Sequence, residues 1–223
     1  MNFRVFFLFI IISALGCAKE SEPENDTTVY SYLALGDSYT VGESVEEFER
    51  WPLQLRSRMI QNGFSFNPVK IIAQTGWRTD NLQAAINTEL TIEKYDLVSL
   101  MIGVNNFYQG KPLSEYEEGF RALLDIAIGK AKNGKDGVFA LSIPDYGMTP
   151  FGGGSKIIAI DVWNSTCKSI CEEKGVSYFD VTEISRLGIE QPELVAEDGL
   201  HPSAIQYGLW VEEIYQSVIE KLN

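Results

Sequence analysis

Tyr32-Leu33-Ala34-Leu35-Gly36-Asp37-Ser38 (YLALGDS, residues 32–38) is an apolar run that stops at a glycine and gives way to a carboxylate and a hydroxyl. A strand exposed on one face alternates apolar and polar side chains, whereas one covered on both faces reads as a continuous apolar run. This run therefore predicts a buried parallel strand. Four more runs share its character: Val69–Ala73 (VKIIA), Asp96–Ile102 (DLVSLMI), Gly137–Ile143 (GVFALSI) and Val176–Val181 (VSYFDV).

Helical patterns separate the runs. The first starts near Pro52, which a first helical turn tolerates, and stops at Asn62-Gly63. The second covers about Asp80–Leu90. In the third, Ser114 and Glu117 have capping-box spacing, and Tyr116, Phe120, Leu123, Leu124 and Ala127 form one face, with a stop at Asn133-Gly134. The fourth spans about Ser155–Lys174 and ends at Gly175; Cys167 and Cys171 lie four apart on its apolar stripe. There they read as small core residues, because a disulfide within one helix is geometrically awkward. The last runs from Ser203 to Leu222. Alternating strands and helices with short connections predict a doubly wound parallel sheet with helices on both faces. Ligands of such sheets bind beyond the carboxyl ends of the strands, so the residues just after each run are the ones to inspect.

Four such places carry polar chemistry. Gly36-Asp37-Ser38 presents a hydroxyl where the N–H groups of a following helical turn would favour negative charge. Gln74-Thr75-Gly76-Trp77 offers a glycine N–H with nothing to block a substrate. Gly103-Val104-Asn105-Asn106 brings side-chain amides that can donate to an oxyanion. Asp198-Gly199-Leu200-His201 spaces a carboxylate three residues before the chain's single histidine, close enough to take Nδ1–H and leave Nε2 as a base. Each has an ordinary structural alternative as a turn or cap. Together they supply a nucleophile, a base, an orienting acid and oxyanion donors, the parts that acyl transfer needs.

In this order, over residues 31–202, the four blocks resemble the SGNH (GDSL-type) hydrolases: Gly36-Asp37-Ser38, then Gly76, then Gly103-Val104-Asn105, then Asp198-Gly199-Leu200-His201. The one departure is Asn106, where the family usually has aspartate; the change should alter local hydrogen bonding more than it alters mechanism. The resemblance implies a three-layer α/β/α, flavodoxin-like fold with a five-stranded parallel sheet, and serine hydrolysis of esters with no cofactor and no metal. It implies Ser38 as nucleophile, His201 as base and Asp198 as the residue orienting it. It also implies an oxyanion hole made of the Ser38 N–H, the Gly76 N–H and the Asn105 side-chain amide.

The loop Pro144–Gly154 is long for an α/β connection and lies on the same side. Its Tyr146 and Phe151, with Trp77, Phe107 and Tyr108 from neighbouring strand ends, are candidates to line a substrate pocket; packed aromatics on a surface loop are the alternative.

Composition narrows the rest. A net charge of −13 over 223 residues repels phosphate backbones and argues against nucleic acid as a partner. One histidine excludes sites that need two imidazoles, and no CxxC occurs. Residues 1–16 read as an export signal: Arg4 precedes an apolar run, Val5–Leu15, too short for the ~20 residues that span a membrane. The run ends in Ala14-Leu15-Gly16-Cys17, which resembles a bacterial lipoprotein signal with Cys17 lipidated, although Ala14 stands where leucine is usual; a plain secretory signal is the alternative. Residues 17–28 read as an acidic tether and 29–223 as the catalytic domain.

The expectation is an exported bacterial esterase, periplasmic or on the cell surface, touching the membrane only through Cys17. It would remove short acyl groups such as O-acetyl from extracellular glycans, since no extended apolar lid is apparent. A lipase, lysophospholipase or thioesterase of the same family is the alternative; a glycan-binding surface lipoprotein is the non-enzymatic one.

Overall fold

A computed structural model describes Met1 and residues 28–89 and 94–222. The export signal beyond Met1, Cys17, the tether up to residue 27 and the expected end of the second helix at Leu90 lie outside the described residues.

Five parallel strands form the central sheet: β1 (Tyr32–Gly36), β2 (Lys70–Ala73), β3 (Leu97–Met101), β4 (Val138–Leu141) and β5 (Ser177–Phe179), in the order β2-β1-β3-β4-β5. Every residue of β1, β3 and β4 is buried, and side chains alternate faces along a strand, so both faces are covered. The edge strands β2 and β5 are only partly covered. Val29–Tyr30 and Ser65–Phe66 add a separate two-stranded parallel pair.

The covering helices are α1 (Trp51–Gln61), α2 (Thr79–Glu89), α3 (Leu113–Lys130), α4 (Ile158–Lys174) and α5 (Ala204–Ile219). α1 packs on α5, while α2, α3 and α4 pack in series. Trp51 of α1 and Trp210 of α5 are wholly buried, and losing either ring would cost about 3–5 kcal/mol. Cys167 and Cys171 are buried, unoxidised core residues.

Three helix boundaries differ from expectation, two of them because distant groups claim the backbone. α3 has no capping box: extended Pro112 precedes it, Ser114 lies inside its first turn, and the Glu117 carboxylate pairs with Arg121 instead. The same helix stops at Lys130 rather than Asn133, where Tyr95 bonds the Lys130 carbonyl and the Lys132 N–H at 2.8 Å each. α4 starts at Ile158 rather than Ser155, because the Ser155 N–H goes to the Gly147 carbonyl and the Ile157 N–H to the Asp145 carboxylate. By contrast, Ser203 caps α5 as its sequence suggests, accepting from the Gln206 N–H.

In this strand order the chain reverses direction at β1, between β2 and β3. The crevice beyond the ends of β1 and β3 is therefore the place for a ligand.

Candidate active site

β1 ends at Gly36, which pairs with Met101 of β3 and Ala73 of β2. A Cβ on Gly36 would lie 2.1 Å from Thr40 Oγ1 and 2.6 Å from the Met101 carbonyl. Glycine is thus required here by close packing rather than by a left-handed turn. Asp37 follows as the cap of a one-turn helix, Ser38–Val41: its carboxylate accepts the Tyr39 N–H at 3.1 Å and its carbonyl accepts from Thr40 and Val41. Burial pushes the Asp37 carboxyl up to about 7, against the opposing pull of backbone N–H groups. Ser38 is the first helical residue, so its N–H points out of the helix.

At the end of β2, Trp77 N–H bonds the Gln74 carbonyl, and Gly76 sits at the third position of that turn with φ +83°. That is the conformation a type II turn reserves for glycine. Among the described residues no acceptor takes the Gly76 N–H.

At the end of β3, Gly103 has φ +128° and no room for a Cβ beside Tyr116. It starts the short helix Val104–Tyr108. Asn105 Nδ2 donates one of its two hydrogens to the Trp77 carbonyl at 3.0 Å, which ties this strand end to the Gly76 turn. Asn106 faces away from the cavity and is wholly buried. Its Oδ1 accepts the Thr79 N–H and its Nδ2 donates to Thr79 Oγ1, both at 3.0 Å, so it caps α2 from a distance. A neutral amide matches this donor–acceptor pair, which accounts for asparagine at a position where aspartate is usual.

Near the C-terminus, His201 Nδ1–H donates to Asp198 Oδ2 at 2.6 Å. Asp198 Oδ1 accepts the N–H groups of Leu200 and His201 at 2.9 Å each, and Oδ2 also accepts from Ser44 Oγ at 2.6 Å. Burial alone would raise this carboxyl. The bonds from Ser44, His201 and the backbone outweigh it and hold Asp198 well below the usual carboxylate range. An ionised acceptor on Nδ1 leaves Nε2 as the imidazole's acceptor face.

Ser38, Gly76, Asn105 and His201 line one cavity of about 190 Å³. Tyr108, Tyr146 and Phe151 make its aromatic wall, with ring centroids 5.8–6.3 Å apart. Asp198 stands behind His201. No hydrogen bond joins Ser38 to His201; without substrate such contacts are commonly long and tighten on binding.

Two of the aromatic residues expected to line the cavity do not. Trp77 contributes its carbonyl to Asn105 while its ring packs on the core, and Phe107 is edge-on to Trp163 with centroids 5.4 Å apart. Tyr108, expected with them, does line it, one helical turn from Asn105 on the same face. Ser44 gave no signal in the sequence, being 154 residues from its partner. Among the described residues no group of three or more His, Cys, Asp or Glu side chains gathers to hold a metal ion.

Residues 34–209 match the GDSL-like Lipase/Acylhydrolase family, and the chain belongs to it. It is a hydrolase acting on ester bonds. No curated protein matches the sequence. Among solved structures, the lipase/acylhydrolase from Enterococcus faecalis is similar over 87% of this chain and 97% of its own, with TM-score 0.71 and 18% identity. A Clostridium thermocellum family 3 carbohydrate esterase is similar over 87% of this chain and 98% of its own, with TM-score 0.68 and 22% identity. The acetylxylan esterase Axe2 from Geobacillus stearothermophilus is similar over 87% and 94%, with TM-score 0.63 and 18% identity. At these identities the likeness is one of fold.

Proposed function

We propose that this chain is a serine esterase that removes short acyl groups, such as O-acetyl, from carbohydrate esters outside the cytoplasm. The carrying observation is that the Asp198-bound His201, Ser38, Gly76 and Asn105 meet at one small cavity.

In this reading His201 Nε2 takes the Ser38 proton as Oγ attacks the ester carbonyl. The oxyanion that forms is held by the N–H groups of Ser38 and Gly76 and the remaining hydrogen of Asn105 Nδ2. His201 then protonates the departing alcohol, leaving an acyl group on Ser38. Water, deprotonated by the same Nε2, cleaves that intermediate and regenerates the serine. Asp198 keeps Nδ1 protonated and stabilises the imidazolium in both halves.

At about 190 Å³ the cavity is smaller than the roughly 300–1,000 Å³ usual for sites that enclose a drug-sized ligand. This suits an acetyl group and the near edge of a sugar better than a long acyl chain. The aromatic wall offers ring faces for the apolar side of a sugar. Two of the structural relatives named above are carbohydrate esterases, which agrees with this choice. Export and lipidation at Cys17 complete the proposal, because polymeric glycan esters lie outside the cell.

The test is release of p-nitrophenol from p-nitrophenyl acetate by the protein beside its Ser38→Ala and His201→Ala variants. Each variant should lose about 10⁵–10⁶ in kcat. Wild-type turnover no faster than Ser38→Ala, with folded protein and both short and long acyl esters tried, would refute the serine esterase. Preference for a C12 over a C2 ester in kcat/KM would refute the short-acyl choice alone.

A further inference from the structure

We propose that Ser44 is a positioning residue for the Asp198–His201 pair; its consequence for turnover rests on the reading of Ser38 and His201 given above. The two bonds that pin Asp198 Oδ1 come from its own turn, from Leu200 and His201. Oδ2, the oxygen that holds the imidazole, is shared with Ser44 Oγ at 2.6 Å. Among the described residues Ser44 supplies the one hydrogen bond to this carboxylate from outside the turn.

The loop that carries it is fastened to the nucleophile. The Ser38 carbonyl accepts the N–H groups of Gly42 and Glu43 at 3.0 Å each. The Glu43 carboxylate takes the hydroxyl of Thr75, next to Gly76. A short path therefore runs from Ser38 through Glu43 and Ser44 to Asp198 and His201, with a branch to the oxyanion turn. It sets the distance between nucleophile and base by local contacts, though the two residues are far apart in sequence.

The backbone at Ser44 indicates that the hydroxyl has a use. Its φ is +65°, and among the described residues it is the sole non-glycine with a positive φ. A residue with a Cβ is disfavoured there, and glycine would suit the conformation better. The side chain is exposed, so its bond competes with water and adds little to folding. What the serine has that glycine lacks is a donor aimed at Oδ2.

The experiment compares Ser44→Gly and Ser44→Ala in the full chain. Glycine relieves the backbone and alanine does not, while both remove the hydroxyl. A positioning role predicts that both lose about tenfold in kcat on p-nitrophenyl acetate with KM little changed. Their stabilities should diverge, with Ser44→Gly melting above wild type and Ser44→Ala close to it.

A second readout is independent of turnover. The chain has one histidine, so the ring ¹⁵N signals belong to His201. Wild type should show the proton on Nδ1, and both variants should move towards a mixture with the Nε2–H tautomer. Wild-type kcat and an unchanged ring spectrum in Ser44→Gly would overturn the proposal, as would activity that follows stability across the pair. If wild type itself turned over no ester faster than Ser38→Ala, the esterase reading would fail. The ring spectrum alone would then decide whether Ser44 positions the pair, a change upholding it and identity overturning it.

Discussion

Replacing Asn105 by alanine tests the proposed oxyanion site more sharply than removing the proposed nucleophile, because the amide would have two separable duties. One Nδ2 hydrogen is committed to the Trp77 carbonyl at 3.0 Å, and the other is left for the cavity that Asn105 lines with Ser38. Loss of a side-chain oxyanion donor costs about 10²–10³ in kcat, or about 2.7–4 kcal/mol of transition-state stabilisation. Loss of the Trp77 tie removes one hydrogen bond at a half-buried position, about 1 kcal/mol, which lowers Tm by about 2–4 °C in a domain of this size. Asn105→Ala should therefore show a large fall in kcat, a small change in KM and a small fall in Tm. Steady-state kinetics on p-nitrophenyl acetate and a thermal melt read the two effects separately. An unchanged kcat would remove Asn105 from the oxyanion site even if Ser38 and His201 proved essential. A drop in Tm of ten degrees or more would mean that the tie to Trp77, not the oxyanion, dominates.

Asp37→Asn should change how stability depends on pH. The folded state raises the Asp37 carboxyl from 3.8 to about 7, so between these values the folded chain keeps a proton that the unfolded chain has lost. Stability from this group thus falls as pH rises from about 4 to about 7 and is level above. The variant, whose side-chain carbonyl can still cap Tyr39, should lack that fall, which urea midpoints at pH 5 and pH 8 would show. Arg186→Met should destabilise the fold by about 3–5 kcal/mol, because it strips the cation from the wholly buried Asp145. Since Asp145 also accepts the N–H groups of Gly147 and Ile157, the loop bearing Tyr146 and Phe151 should loosen and KM rise; an unchanged KM would count against that coupling. Cys17→Ser should move the protein from the membrane fraction to the soluble one, and an unchanged distribution would refute lipidation.

The strands were legible because burial on both faces leaves an unmistakable apolar run. β1 occupies Tyr32–Gly36 as expected, and the other four lie within one or two residues of theirs at either end. Helix ends were legible where the chain caps itself, as at Ser203 and Gly175, and misread where a remote group intervenes, as Tyr95 does at Lys130 and Asp145 at Ile157. The same divide runs through the site. Residues directly after strand ends could be found, because the topology brings strand ends together. Ser44 could not be found that way, because it acts through a bond spanning most of the chain.

The packing of α1 against α5 also bears on when the protein becomes active. The serine belongs to the first fifth of the chain, but the histidine immediately precedes the final long helix, whose Trp210 and Tyr207 are wholly buried. No partly synthesised chain can hold the two together. Were the chain exported as proposed, threaded across a membrane in extended form, it would thus travel as a harmless precursor. Hydrolytic capacity would arise at the destination, when the C-terminal segment docks, and the cell's own esters would be spared during transit.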